Sequence, residues 1–153
     1  AFATRAGYVR DAATEWIARE EAAGLYARST YREFAKRVRE NKRKLWKILT
    51  SLKRRGWRIV GYGAPAKGNT LLNYCEIGTE LLEFTVDRSP YKQGLLTPGA
   101  RLPIRPPEAL LKEMPDYTVI LPWNLEKEII AQQQEYRRQG GRFIVPIPKP
   151  KIA

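Results

Sequence analysis

Apolar and polar positions change rhythm once along this chain, near residue 56. Before that point apolar residues recur at helical spacing. Trp16 and Ile17 mark the apolar side of a helix over residues 11–23, which Gly24 ends. Tyr31, Phe34, Val38, Leu45, Ile48, Leu49 and Leu52 predict a second helix from Thr30, with a polar gap at Asn41 and Lys42. Thr30-Tyr31-Arg32-Glu33 has the form of a capping box, in which hydroxyl and carboxylate each satisfy an orphan amide. Lys53, Arg54 and Arg55 complement the negative end of that helix, and Gly56 is its stop.

From Trp57 short apolar runs alternate with helical segments. Strands are expected over 57–62, 82–86, 102–104, 117–121 and 143–147, and helices over 66–75, 107–112 and 125–139. A long loop with Pro90, Gly94, Pro98 and Gly99 follows the second strand, and Pro148 and Pro150 finish the chain. Strands separated by helices imply parallel pairing with right-handed crossovers. The expected fold class is α/β, a Rossmann-like doubly wound parallel sheet preceded by N-terminal helices. Residues 1–56 form the helical segment and 57–153 the Rossmann-like domain, together one structural domain. No internal repeat is visible.

Composition then removes most chemistry. The 153 residues make one domain's worth of chain, and 43% are hydrophobic. Apolar runs are short, as in Val119-Ile120-Leu121, far below the ~20 residues of a membrane span. No signal-peptide pattern opens the chain, which begins at Ala1 without Met, as an excised fragment would. There is no histidine, so no Ser–His pair, Cys–His pair or histidine zinc site can form. Cys75 stands alone and reads as a small core residue, so no disulfide and no metal site is expected. One cysteine fits a reducing compartment, and a cytoplasmic location is expected.

The net charge is +12, and residues 1–55 hold 15 basic against 6 acidic residues. Such an excess invites a nucleic-acid reading. The competing reading is a solvated helix face. No interleaved aromatic platform accompanies the charges, so nucleic acid is not the expected partner.

The sharpest feature is the run from Gly61 to Thr70, GYGAPAKGNT, placed between a strand and a helix. Gly61, Gly63 and Ala66 match G-x-G-x-x-A, a dinucleotide-binding form. Gly61 allows a tight turn, and a bare Gly63 lets backbone amides near Ala64 approach a diphosphate. Lys67 adds a full charge to the helix N-terminus. Asp87 lies 26 positions after Gly61, where an acidic residue reads a ribose hydroxyl. Against this stands a plain strand-to-helix turn, and Pro65 removes one amide from the cradle. Ligands in such sheets sit where strand order reverses, here between the first strand and the 117–121 strand. Trp123 and Asn124 follow the latter. Either they cover and bind a ligand, or Trp123 is core and Asn124 caps the next helix.

These residues also carry a family resemblance. GYGAPAKGNTLLNYC, VDRSPYKQG, PGARLPI, PDYTVILPWNLEKEII and FIVPIP, in this order, resemble the C-terminal domain of S-adenosylmethionine (SAM)-dependent sugar C-methyltransferases. The resemblance covers almost the whole chain and is densest from Gly61 to Pro148. It implies a polypeptide with an upstream zinc-binding module and an upstream methyltransferase domain. Zinc, SAM and the catalytic base would all lie in those parts, and this chain alone would be inactive. The implied partner is a nucleotide-diphosphate sugar of the TDP-sugar type. By the resemblance it is bound by Gly61, Tyr62, Gly63, Ala64, Lys67, Gly68, Asn69 and Thr70 in the turn, with Asp87, Lys92, Gly94, Trp123 and Asn124 lining the rest. Two positions depart from the family pattern. Glu76 stands where a Gly usually follows the Cys, and Arg101 where a His often stands. An NAD-type domain of an oxidoreductase and a basic nucleic-acid-binding protein are the alternatives, and no acid–base pair for hydride chemistry supports the former.

Overall fold

The computed structural model describes residues 2–153, with side chains from residue 12 onward. The chain divides into two compact units, residues 1–40 and 41–153, and the division falls at the polar gap of the second helix.

The first unit holds helix α1 (Phe2–Ala22) and the opening turns of helix α2 (Arg28–Arg54). Because α2 begins at Arg28, Thr30 lies in its first turn rather than at its cap. The expected capping box does not form: the Thr30 hydroxyl instead donates to the Gly24 carbonyl at 2.7 Å, tying the helix to the preceding turn.

The second unit is a six-stranded sheet in the order β3-β2-β1-β4-β5-β6. Its strands are β1 (Ile59–Tyr62), β2 (Thr85–Val86), β3 (Ile104–Arg105), β4 (Tyr117–Ile120), β5 (Arg142–Val145) and β6 (Lys151–Ile152). The first five pair in parallel, with helical crossovers before β2, β4 and β5 and a long loop between β2 and β3. Strand β6 was not expected, and it runs antiparallel to β5. The prolines at 148 and 150 bend the chain but leave later amides free, and Ala153 N–H reaches the Phe143 carbonyl at 2.9 Å. Strand β2 is shorter than the apolar run suggested, because Leu81 and Leu82 sit in a turn that packs them into the core.

Helix α3 (Ala66–Cys75) follows β1, α4 (Glu108–Glu113) precedes β4, and α5 (Glu126–Gln132) and α6 (Gln134–Arg138) precede β5. The single helix expected over 125–139 is therefore interrupted at Gln133, whose amide side chain reaches the Tyr62 hydroxyl at 3.4 Å. Strand residues alternate between two cores. Ile59, Val119 and Ile144 meet Leu45, Leu49 and Leu52 of α2 and Leu72 of α3. Val60, Ile120 and Phe143 meet Leu110 of α4, Ile129 of α5 and Tyr136 of α6. Both faces of the sheet are thus covered, which a parallel sheet needs.

Polar ties complete the unit. Asn41 donates to the Pro146 carbonyl at 3.0 Å, and Lys42 to the Tyr74 carbonyl at 2.9 Å, so the polar gap of α2 is where that helix is fastened. At the N-terminal edge of the sheet Arg58 pairs with Glu83 at 2.8 Å and Glu113 at 2.9 Å, and Arg105 joins Glu113 at 2.6 Å. Arg58, with help from Arg105, holds the Glu113 carboxyl below the usual range. No described helix is long and apolar enough to cross a membrane.

Candidate functional site

Strand order reverses between β1 and β4, as expected from the sequence, so a crevice opens beyond the C-terminal ends of those strands. The end of β1, the turn over 63–65 and the start of α3 rim it; Gly61 lies in the strand rather than in the turn expected of it, and the residues fall into two groups.

The first group is Gly61, Tyr62, Gly63 and Ala64 with Asp87 and Lys92. The Asp87 carboxylate accepts the Ala64 N–H at 2.6 Å and the Ser89 N–H at 2.8 Å. The Lys92 ammonium donates to the Ala64 carbonyl at 3.1 Å and to Asp87 at 3.3 Å. The Gly63 N–H is bonded to the Val86 carbonyl at 2.5 Å. The two amides expected to face a diphosphate therefore already have acceptors. The need for glycine at 63 also differs from the expected one. Its φ is +84°, and a Cβ would lie 2.7 Å from Pro122 Cδ, so protein and not ligand fills that space. At 61 a Cβ would meet Thr85 Oγ1 at 2.7 Å, and at 68 Leu121 Cβ at 2.8 Å. These glycines let strands and helix approach one another.

The second group is Lys67, Trp123 and Asn124. Pro65 precedes α3 and makes no side-chain cap. The Ala66 and Lys67 amides precede the first helical hydrogen bond, from Asn69 N–H to the Pro65 carbonyl at 3.0 Å. The Lys67 ammonium hydrogen-bonds Asn124 Oδ1 and lies 5.1 Å from the centre of the Trp123 ring. Trp123 is half-buried against the α5 side of the core. Asn124 belongs to a 3₁₀ turn, Trp123–Leu125, while Leu125 occupies the cap position of α5. Asn124 is thus a partner of Lys67 rather than a helix cap. Thr70 donates back to the Ala66 carbonyl at 3.1 Å, and Asn69 Oδ1 is buried without a partner. Gly94 lies in the loop that carries Lys92, its N–H on the Ile104 carbonyl at 2.8 Å.

Beside Tyr62 of the first group, a cleft of about 430 Å³ is lined by Tyr62, Arg88, Gln93, Pro107, Gln132 and Gln133, among others. A smaller one of about 130 Å³ continues it past Asp87 and Pro122. Burial pushes the Tyr62 hydroxyl up from its ordinary pKa, so it is a neutral donor and acceptor. Sequence reasoning missed Arg88, Gln132 and Gln133. Arg88 adjoins Asp87 at the strand end, and the polar run at 132–134 was visible, but only the assembled fold brings both to one cleft with Tyr62. No group of three or more His, Cys, Asp or Glu gathers among the described residues, so nothing here fits a zinc ion.

Residues 2–148 match the model of the C-methyltransferase C-terminal domain. The chain is 40% identical over 144 residues to C-methyltransferase NovU of Streptomyces niveus, covering 94% of this chain and 34% of that protein. It thus spans about a third of the length of that curated relative. Among solved structures, UDP-D-quinovosamine 4-dehydrogenase from Vibrio fischeri aligns with a TM-score of 0.43 and 19% identity, over 61% of this chain and 79% of that one. The family match extends through the glycine turn, Asp87 and Trp123-Asn124, and on it the chain belongs to the C-methyltransferase C-terminal domain family.

Proposed function

We propose that this chain holds a nucleotide-diphosphate sugar for carbon methylation by the rest of a longer polypeptide. The observation that carries the reading is the meeting of Lys67, Trp123 and Asn124 at the point where strand order reverses. A cation over an aromatic face, at the N-terminus of a ten-residue helix, suits a diphosphate next to a flat ring. With the Gly63 and Ala64 amides engaged, the first turn of α3 and the Lys67 ammonium supply the anion contacts. The cleft beside Tyr62 and Arg88 then receives the nucleoside, and Asp87 holds the loop between. SAM and zinc belong, in this reading, to the upstream portion, and the chain alone does not transfer methyl groups.

Calorimetric titration of TDP- and UDP-sugars into the chain and into the longer polypeptide tests this. A charge-assisted contact is worth ~1.5–3 kcal/mol, so Lys67→Ala should weaken binding roughly 10- to 150-fold. Equal binding by wild type and Lys67→Ala would place the ligand elsewhere. No binding even by the longer polypeptide would remove the substrate class.

A further inference from the structure

The described side chains of the first unit make no core of their own. Among the described side chains of residues 12–40 none is buried. Trp16 is 63% exposed and Ile17 54% on α1, and Tyr31 is 59% exposed and Phe34 56% on α2. Helices in proteins draw most of their stability from packing an apolar face, so such a pair is incomplete by itself. Large apolar side chains left exposed along both helices are what a docking partner would cover.

The surrounding charge narrows the partner. Residues 12–40 carry 6 basic and 5 acidic side chains, close to balance. Arg19 lies 5.2 Å from the Trp16 ring and Arg37 6.0 Å from the Phe34 ring. Phosphate backbones and anionic membranes select a single-signed surface, which this is not. Apolar anchors with arginines and mixed charge at the rim have the make-up of a protein interface. With Leu25 and Tyr26, six large apolar side chains are exposed here, a small surface beside the roughly 20–30 residues a side that free subunits bury. A tethered partner, held at an effective concentration on the order of mM, needs far less. Two-thirds of the length of the 40%-identical relative lies outside the match.

We propose that Trp16, Ile17, Tyr31 and Phe34 dock the catalytic portion of the same C-methyltransferase polypeptide, and not a second copy. This rests on the reading of the chain as one part of that longer enzyme. The test is Phe34→p-benzoylphenylalanine in the full-length polypeptide, irradiated without substrate and mapped by mass spectrometry, together with amide exchange of residues 12–38. Crosslinks within one polypeptide, to residues outside this domain, are expected. Exchange over 12–38 should be at least 10-fold slower in wild type than in Ile17→Glu/Phe34→Glu. Crosslinks to a second copy, no crosslink, or exchange unchanged by the double variant would overturn the docking. Nucleotide-sugar titration of the same polypeptide reads the binding function separately, so either idea can fail alone.

Discussion

The Asp87 carboxylate receives the Ala64 amide at 2.6 Å, across 23 residues of chain. A residue at the end of β2 thereby clamps the glycine turn that follows β1, before any ligand arrives. The acidic position that reads as a ribose contact is first of all the latch of the loop.

Asp87→Ala should therefore destabilise the fold as well as alter ligand binding. It strands the Ala64 and Ser89 amides and removes the partner of Lys92. A loss of ~1–3 kcal/mol is expected from unmade buried hydrogen bonds. Urea unfolding of Asp87→Ala and Asp87→Asn checks this. Wild-type midpoints for both would reduce Asp87 to a ligand residue.

Gly63→Ala should be poorly tolerated in the absence of any ligand. Its φ of +84° costs an L-residue ~1–2 kcal/mol, and contact with Pro122 adds to that. Thermal unfolding should show a drop of several degrees. If stability is unchanged but nucleotide binding is lost, phosphate and not Pro122 explains the glycine.

Glu76 sits at φ 56°, in the left-handed region that favours Gly, and its carboxylate pairs with Lys42 at 2.6 Å. Glu76→Gly relieves the backbone but breaks that pair. In a Lys42→Met background only the relief remains. Glu76→Gly should therefore raise the Tm more in that background than in wild type. Equal shifts in both would show the pair to be without effect, as many exposed pairs are.

Acid should loosen the N-terminal edge of the sheet. The folded Glu113 carboxyl lies below its unfolded value because Arg58 and Arg105 favour its charged form. Its contribution is present above about pH 4.3, the ordinary glutamate value, and is lost as pH falls through the lower folded value. Thermal unfolding from pH 6 to pH 3 should show a shallower acid-side decline in Glu113→Gln than in wild type. Parallel profiles would assign the acid sensitivity to other carboxylates.

The alternation of apolar runs with helical segments was enough to place the parallel sheet, the reversal between β1 and β4, and the long amphipathic α2. The strands, helices and α2 follow from side-chain periodicity, which is local, and the reversal from the doubly wound order that the fold class implies. Gly63 was legible as a point of close approach, though to a ligand, while Gly61 was read as a tight turn and Gly68 carried no such reading. What approaches them was not legible: Thr85, Pro122 and Leu121 arrive from other strands and loops, 24 to 59 residues away. The same holds for Lys67 meeting Asn124, for Gln133 meeting Tyr62, and for β6, which pairs only because the chain turns back over 147–149. Hydrogen-bond partners at such separations are chosen by register and packing. Periodicity says which face of an element is buried, and only the assembled sheet decides which donor finds which acceptor.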